Sequence, residues 1–254
     1  MTGGQSAPVT DSEKHGIGAH GSGRMGRRAV ILAAGAGSRL LEVEPLKPLA
    51  KVGAEPLIRH ALFAMAAAGI ERATIVLGNS ADAVAAAAAH GPIAVDTILN
   101  PRWADAPNGV SLLSAREHIV PGTLLMMADH LISALLVARL LAGARLPLAL
   151  GVDRRLGHPW VDESDVTRVR TDGELIRAIG KGLGVYDSYD SGVFIVGPEL
   201  VHALDGLSSP GLSDGVMQLA RRGLAQAVDI GDAPWLDVDD ARALAIARTQ
   251  WVAA

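Results

Sequence analysis

Short apolar runs alternate with amphipathic and alanine-rich stretches through the first 150 residues. AVILA at 29–33, ATIVL from Ala73 and TLLMMA at 123–128 have the length and branched content of buried strands, and Ile93–Leu99 and Leu148–Val152 read as further strands. PLIRHALFAMAAAG at 56–69 opens on Pro and closes on Gly, the asymmetry of a helix. Ala81–His90, Ser111–His118 and the segment from Ser133 read as further helices. Strands separated by helices need crossover connections, so the pattern predicts an open, Rossmann-like, mostly parallel α/β sheet covered on both faces. After Asp153 the pattern changes. DVTRVRTDGELIRAI sets two runs around Asp172-Gly173, a hairpin signal. GVFIVG and AQAVDI read as later strands, with helices around Val201, around Val216 and at the C-terminal end. The expectation is one domain over 28–254 with a small antiparallel insertion. Residues 1–27, rich in Gly, Ser and His without an apolar period, read as a disordered leader.

Composition narrows the classes. Hydrophobic residues make up 49% and charged residues 20% of the 254, as in a globular protein. With two Phe, two Tyr and four Trp, the core must be built from Ala, Leu, Val and Ile. A net charge of −4 gives no bulk attraction for a polyanion, so no nucleic-acid partner is expected. Cys is absent, which excludes disulfides and thiolate metal sites. Arg24, Arg27 and Arg28 before AVILAAGAG imitate a secretion signal, but the apolar run is short and starts late. Leu131–Leu150 imitates a membrane span, but Arg139 and Arg145 lie inside it and Gly143 and Pro147 divide it. The reading is a cytoplasmic protein without membrane insertion.

The stretch AVILAAGAGSRL runs from a buried strand into a Gly-rich turn, a geometry that offers backbone N–H groups to an anion. A dinucleotide fingerprint needs a third Gly where Leu40 stands and an acidic residue where the next strand ends in Leu77-Gly78-Asn79. The Walker pattern is missing too. What remains is Arg39 in the loop and Lys47 beyond it, two cations suited to a triphosphate. A turn with solvated cations is the competing explanation.

LAAGAGSRL and KPLAKVGAEPLI resemble the start of the nucleotidyltransferases that activate sugar phosphates and related alcohol phosphates. LNPRWADAPNGVSL, MMADH, GVDRR, IGKGL, YDSGVFIVG and PWLDVDD extend the resemblance over roughly residues 29–245. Order and spacing are most similar to the CTP-dependent branch, especially inositol-1-phosphate cytidylyltransferases, with phosphocholine and aminoalkylphosphonate cytidylyltransferases as relatives. The resemblance implies the nucleotide-diphospho-sugar transferase fold. It implies CTP and a small phosphorylated alcohol as partners and Mg²⁺ as cofactor. It leaves room for a homodimer and for a membrane CDP-alcohol transferase acting next.

The candidate residues follow. Leu32, Ala33, Ala34, Gly35, Ala36, Gly37, Ser38, Arg39 and Lys47 would cradle the triphosphate. Gly78, Asn79, Asn108, Gly109 and Ser111 are assigned to the nucleotide; the N–H groups of Asn108-Gly109 would hold a base edge or an acceptor phosphate, with an ordinary turn and helix cap as the alternative. Asp129 follows a buried strand, at the end of an α/β sheet where ligands bind, and can hold Mg²⁺ or cap a helix. Asp237 and Asp239 have strand spacing and face one side, while Asp240 is placed to cap the last helix. The resemblance pairs Asp129 with Asp237 or Asp239 around one metal, Asp237 preferred. The family continues this motif with Thr-Pro-Glu, whereas Asp240-Ala241-Arg242 stands here. Asp129, His130 as a substrate contact or wall residue, Arg154, Lys181 and Asp190 are assigned to the acceptor, with Arg39, Lys47 and Lys181 as the catalytic cations. For a polyol, Asp187 and Ser188 would add hydrogen-bonding groups; for a choline-type acceptor, Trp160, Tyr186 and Tyr189 would supply aromatic faces. The function implied is CMP transfer from CTP to an alcohol phosphate, most readily inositol 1-phosphate. Phosphocholine, an aminoalkylphosphonate or a sugar 1-phosphate are alternative acceptors, and a non-catalytic nucleotide-binding module is the alternative class.

Overall fold

Strand β1 (Arg28–Ala33) is apolar because it lies mid-sheet with helices on both faces. The computed structural model describes residues 1, 27–35, 46–78 and 80–251. Apart from Met1 and Arg27, the expected leader lies outside the described residues. β1 pairs in parallel with β4 (Arg72–Leu77) and β6 (Thr123–Met127), and β5 (Ala94–Leu99) extends the parallel edge beyond β4. Helices α1 (Leu57–Ala67), α2 (Ala81–Ala88) and α3 (Asn108–Ser114) make the connections, α3 running on into a 3₁₀ turn at Arg116–His118. Before α1, β2 (Lys51–Val52) and β3 (Glu55–Pro56) form a two-stranded hairpin.

The second half departs from the expected parallel order. β8 (Leu148–Asp153) and β12 (Ala225–Asp229) pair in parallel, but β11 (Ser188–Val196) lies between β6 and β8, antiparallel to both. β9 (Arg168–Asp172) and β10 (Leu175–Gly180) form the hairpin read from Asp172-Gly173, with Gly173 at φ +60° where the turn requires a left-handed residue. The full order is β5-β4-β1-β6-β11-β8-β12-β10-β9, a mixed α/β sheet. The apolar run in β11 reports burial on both faces, which is the same for a strand entering from either end. That is why the sequence pattern misses its direction.

The pleat divides the core. Ile31, Ile75, Leu124 and Met126 face α1, α2 and α4 (Ala134–Gly143). Val30, Leu32, Val76 and Leu125 face α3, α5 (Pro198–Leu204) and α6 (Leu212–Arg221). Each such side chain, buried, stabilises the fold by roughly 1.5–3 kcal/mol relative to exposure. A third, smaller cluster holds two short strands at the rim. Leu131 of β7 (His130–Ile132) and Leu236 of β13 (Trp235–Asp237) pack with Val52, Leu57, Val238, Ala243 and Leu244 beneath α7 (Ala241–Gln250). The apolar segment Leu131–Leu150 is thus shared by β7, α4 and β8. No helix among the described residues is long and apolar enough to cross a membrane.

Candidate active site

The chain leaves β6 at the carboxyl end of the sheet, turns at Asp129 and enters β7. β7 pairs antiparallel with β13, His130 opposite Asp237 and Leu131 opposite Leu236, and Val238 N–H donates to the Asp129 carbonyl at 3.0 Å. Alternation then does the rest. Leu236 and Val238 point into the cluster under α7, while Trp235, Asp237 and Asp239 face a cavity of about 420 Å³. Two carboxylates separated by more than 100 residues are brought together by a ribbon of three residues per strand.

The charges are tightly set. His130 Nδ1 lies 3.0 Å from Asp129 Oδ1 and 3.8 Å from Asp237 Oδ1. Lys47 Nζ lies 3.6 Å from Asp129 Oδ2 and is ion-paired with Asp239. Burial alone would raise the Asp129 carboxyl, but the hydrogen bond and charge of His130, with Lys47, hold it below the usual range. Burial pushes Asp237 well above that range, the charges of Asp129 and Asp239 adding to it against the pull of His130 and Lys47. Burial would lower His130, yet Asp237 and Asp129 carry it to about 9. The His130 ring stacks on Trp235, centroids 6.4 Å apart, and lies against Gly192, where φ is +74° and an added Cβ would fall 2.5 Å from the imidazole Cδ2.

Two residues earlier in β11, Asp190 Oδ1 accepts from Gly192 N–H at 2.7 Å, and burial pushes its carboxyl up to about 6. Ligand atoms of Asp129, His130 and Asp237 all lie within 4.8 Å of one another. Asp237 Oδ1 is buried with no hydrogen-bond partner among the described residues. An orphaned carboxylate oxygen beside a second carboxylate fits a hard divalent cation, which takes one or two carboxylates and completes its shell from phosphate and water. The residues present therefore fit Mg²⁺, with Asp239 held instead by Lys47.

Residues 29–176 match the family described as MobA-like NTP transferase domain. The chain belongs to that family. As a MobA-like NTP transferase it is a nucleotidyltransferase. It is similar to the bifunctional IPC transferase and DIPP synthase of Rubrobacter xylanophilus, 32% identical over 223 residues, covering 86% of this chain and 50% of that protein. The same-named protein of Aquifex aeolicus is 26% identical over 214 residues, covering 83% and 48%. The chain thus spans about half the length of these relatives. Among solved structures, the inositol-1-phosphate CTP transferase of T. maritima shares the fold with TM-score 0.79 at 20% identity, covering 90% of this chain and 98% of that one.

In this MobA-like transferase, Leu32, Ala34, Gly35, Asn108 and Ser111 line the same cavity as the carboxylates, while Ala33 is buried toward the opposite face of the sheet. Ala36, Gly37, Ser38, Arg39 and Asn79 lie outside the described residues. Gly78 and Gly109 do not line the cavity. A Cβ on Gly78 would sit 2.6 Å from that of Trp103, and one on Gly109 would strike the Pro210 carbonyl, so both glycines serve close backbone approach. Asn108 opens α3 rather than preceding it, and its Oδ1 accepts from Leu212 N–H at 3.0 Å.

On the opposite wall, Lys181 and Asp190 line the cavity, Lys181 paired with Asp165 at 2.7 Å. Arg154 does not. Its guanidinium turns outward to Asp187 and Asp229, because Asp153 ends β8 with its side chain in the core and the next residue emerges on the far side. Asp187 and Ser188 are likewise not lining residues: the Asp187 carboxylate accepts from Thr171 and Ser188, and Ser188 is fully buried. Trp160 lines the cavity, whereas Tyr189 is buried, its hydroxyl held by Gly157 and Glu163. Asp240 accepts from Ala243 N–H at 2.7 Å and caps α7, as its position implied. Sequence reasoning missed Asp162, Asp165 and Arg242, which also face the cavity. The first two sit in an aperiodic loop, and only the Asp-x-x-Asp spacing marks them.

Proposed function

We propose that this chain is a Mg²⁺-dependent cytidylyltransferase that moves CMP from CTP to inositol 1-phosphate, giving CDP-inositol and pyrophosphate. The observation that carries the reading is the β7–β13 ribbon, which sets Asp129 beside the orphaned Asp237 oxygen at the sheet's carboxyl rim, next to Lys47. The names of the relatives, IPC transferase and inositol-1-phosphate CTP transferase, support the choice of nucleotide and acceptor. Mg²⁺ held by Asp129 and Asp237 would supply charge neutralisation at the triphosphate.

The rest falls to the chain itself. Lys47, kept cationic by Asp129 and Asp239, meets the triphosphate. Arg39 and residues 32–38 are assigned the rest of the grip. Lys181 lies across the cavity, where it orients the acceptor phosphate and screens its repulsion from the nucleotide. An acceptor phosphate oxygen attacks the α-phosphorus, forming the new P–O bond as the bond to the pyrophosphate oxygen breaks. The attacking oxygen is already ionised, so no general base is needed, and catalysis rests on positioning and charge. Asp190, Asp162 and Asp165 offer acceptors for hydroxyl hydrogens, which suits a polyol. We propose a cytoplasmic location, with a membrane enzyme consuming the CDP-alcohol.

The test is pyrophosphate release by the full chain with each of four nucleoside triphosphates and a panel of inositol 1-phosphate, phosphocholine, an aminoalkylphosphonate and sugar 1-phosphates. CTP with inositol 1-phosphate should stand well above every other pair. A clear preference for another triphosphate or acceptor would overturn that part of the assignment, and no release with any pair would overturn the whole.

A further inference from the structure

Below the carboxylate cluster lies a second charged group that the reaction does not use. Asp153, the last residue of β8, has a fully buried side chain. Arg155 wraps back onto it, Nε to Oδ1 at 2.8 Å and a terminal nitrogen to Oδ2 at 2.9 Å, while Arg155 N–H donates to Oδ1 at 2.8 Å. The terminal Arg155 nitrogen that reaches Oδ2 also donates to the Ala233 carbonyl at 3.1 Å. The remaining bond reaches Asp153 from Trp235, whose indole Nε1 donates to Oδ2 at 2.8 Å. Burying such a pair is not needed for stability, since a well-packed apolar group of the same volume does as well. What the pair adds is direction, because each of its outward bonds ends on the segment 233–235.

That segment opens β13. Trp235 is fixed on its edge by Asp153 and on its face by the His130 ring, and Asp237 follows two residues later on the same side of the strand. The indole therefore couples the end of β8, deep in the main sheet, to both strands of the rim ribbon. We infer that the Asp153–Arg155 pair, acting through Trp235, is a positioning device that fixes where β13 presents Asp237 and so sets the affinity of the site for a divalent cation. This rests on the reading of Asp129 and Asp237 as metal ligands. Asp153, Arg155 and Trp235 are positioning residues; none is assigned a contact with substrate.

The experiment measures Mn²⁺ binding to the full chain without nucleotide, by water-proton relaxation, with thermal melting in parallel. Trp235→Phe keeps an aromatic ring against His130 and removes the indole donor together with part of the buried ring volume. It should weaken Mn²⁺ about tenfold, as loss of an outer partner of a metal ligand commonly does, in a protein that still melts cooperatively. Asp153→Asn, similar in shape, should weaken it too and serves if Trp235→Phe does not fold. Asp237→Asn should abolish specific binding. Wild-type affinity in Trp235→Phe and Asp153→Asn, alongside loss in Asp237→Asn, would overturn the positioning role alone. A lowered melting temperature with an unchanged Mn²⁺ constant would do the same, showing a merely structural role. Undiminished binding in Asp237→Asn would remove the metal reading itself, and the positioning role with it.

Discussion

Asp190→Asn tests how strongly the cavity resists a charge that it nonetheless keeps. The carboxyl is partly buried at the entrance of β11, and burial raises it from 3.8 to about 6, against the backbone hydrogen bond from Gly192 and the charge of His130. Below about pH 4 the carboxyl is protonated in folded and unfolded chains alike, and it carries no pH-dependent penalty. As pH rises, the unfolded chain ionises first, while the folded one holds its proton until about pH 6. Stability therefore falls across that window and stays lower above it. A gap of about two pKa units corresponds to up to ~3 kcal/mol at pH 7. Asn cannot ionise, and its side-chain oxygen can still accept from Gly192 N–H. The variant should match wild type in urea denaturation near pH 4 and exceed it by up to ~3 kcal/mol at pH 7–8, a rise of about 2–4 °C in melting temperature for each kcal/mol. Its acceptor KM should rise, since an anionic partner for hydroxyls has been lost. Equal stability of the two proteins at pH 8, or a difference that does not change with pH, would refute the burial argument.

Other outcomes follow from the same geometry. Lys47→Ala removes the cation shared by Asp129 and Asp239 and should lower turnover by about 10²–10³, the range for losing one preorganised electrostatic partner; near-normal pyrophosphate release would contradict its role. Gly192→Ala forces a left-handed residue against the His130 ring and should lower stability by about 1–3 kcal/mol, read by urea denaturation, with activity reduced as well. An unchanged midpoint would mean that the ring does not lie against β11. EDTA should abolish nucleotidyl transfer and excess Mg²⁺ restore it; activity that persists after chelation would exclude metal dependence.

The legible parts of this fold are those in which local chemistry is decisive. The apolar β1, the Pro-to-Gly frame around α1, the Asp-Gly turn of β9–β10 and the Asp240 cap are each set by residues within a few positions. Asp237 and Asp239 were legible as a pair because period-two spacing fixes their shared side. The ribbon that joins them to Asp129 was not: HLI and WLD are too short to show a period, and their pairing depends on chain segments far apart. Arg154 and Arg155 show the limit at single-residue scale. Both follow GVD, but the burial of Asp153 turns one guanidinium outward and folds the other back, and no feature of the sequence marks Asp153 as buried. The direction of β11 was hidden because burial on both faces erases the pattern that distinguishes its ends.

That reversed strand shapes how the molecule can vary. Because β11 runs against β6, it delivers its beginning to the rim, so Trp160, Asp162, Asp165, Lys181 and Asp190 all reach the cavity from one uninterrupted stretch of chain after β8. Leu32, Ala34, Gly35, Asn108 and Ser111, on the other wall, come before Asp129, with Leu212 and Ser213 beside Asn108. A transplant or lengthening within 156–187 would remodel most of one wall while Asp190 and the other wall stay in place.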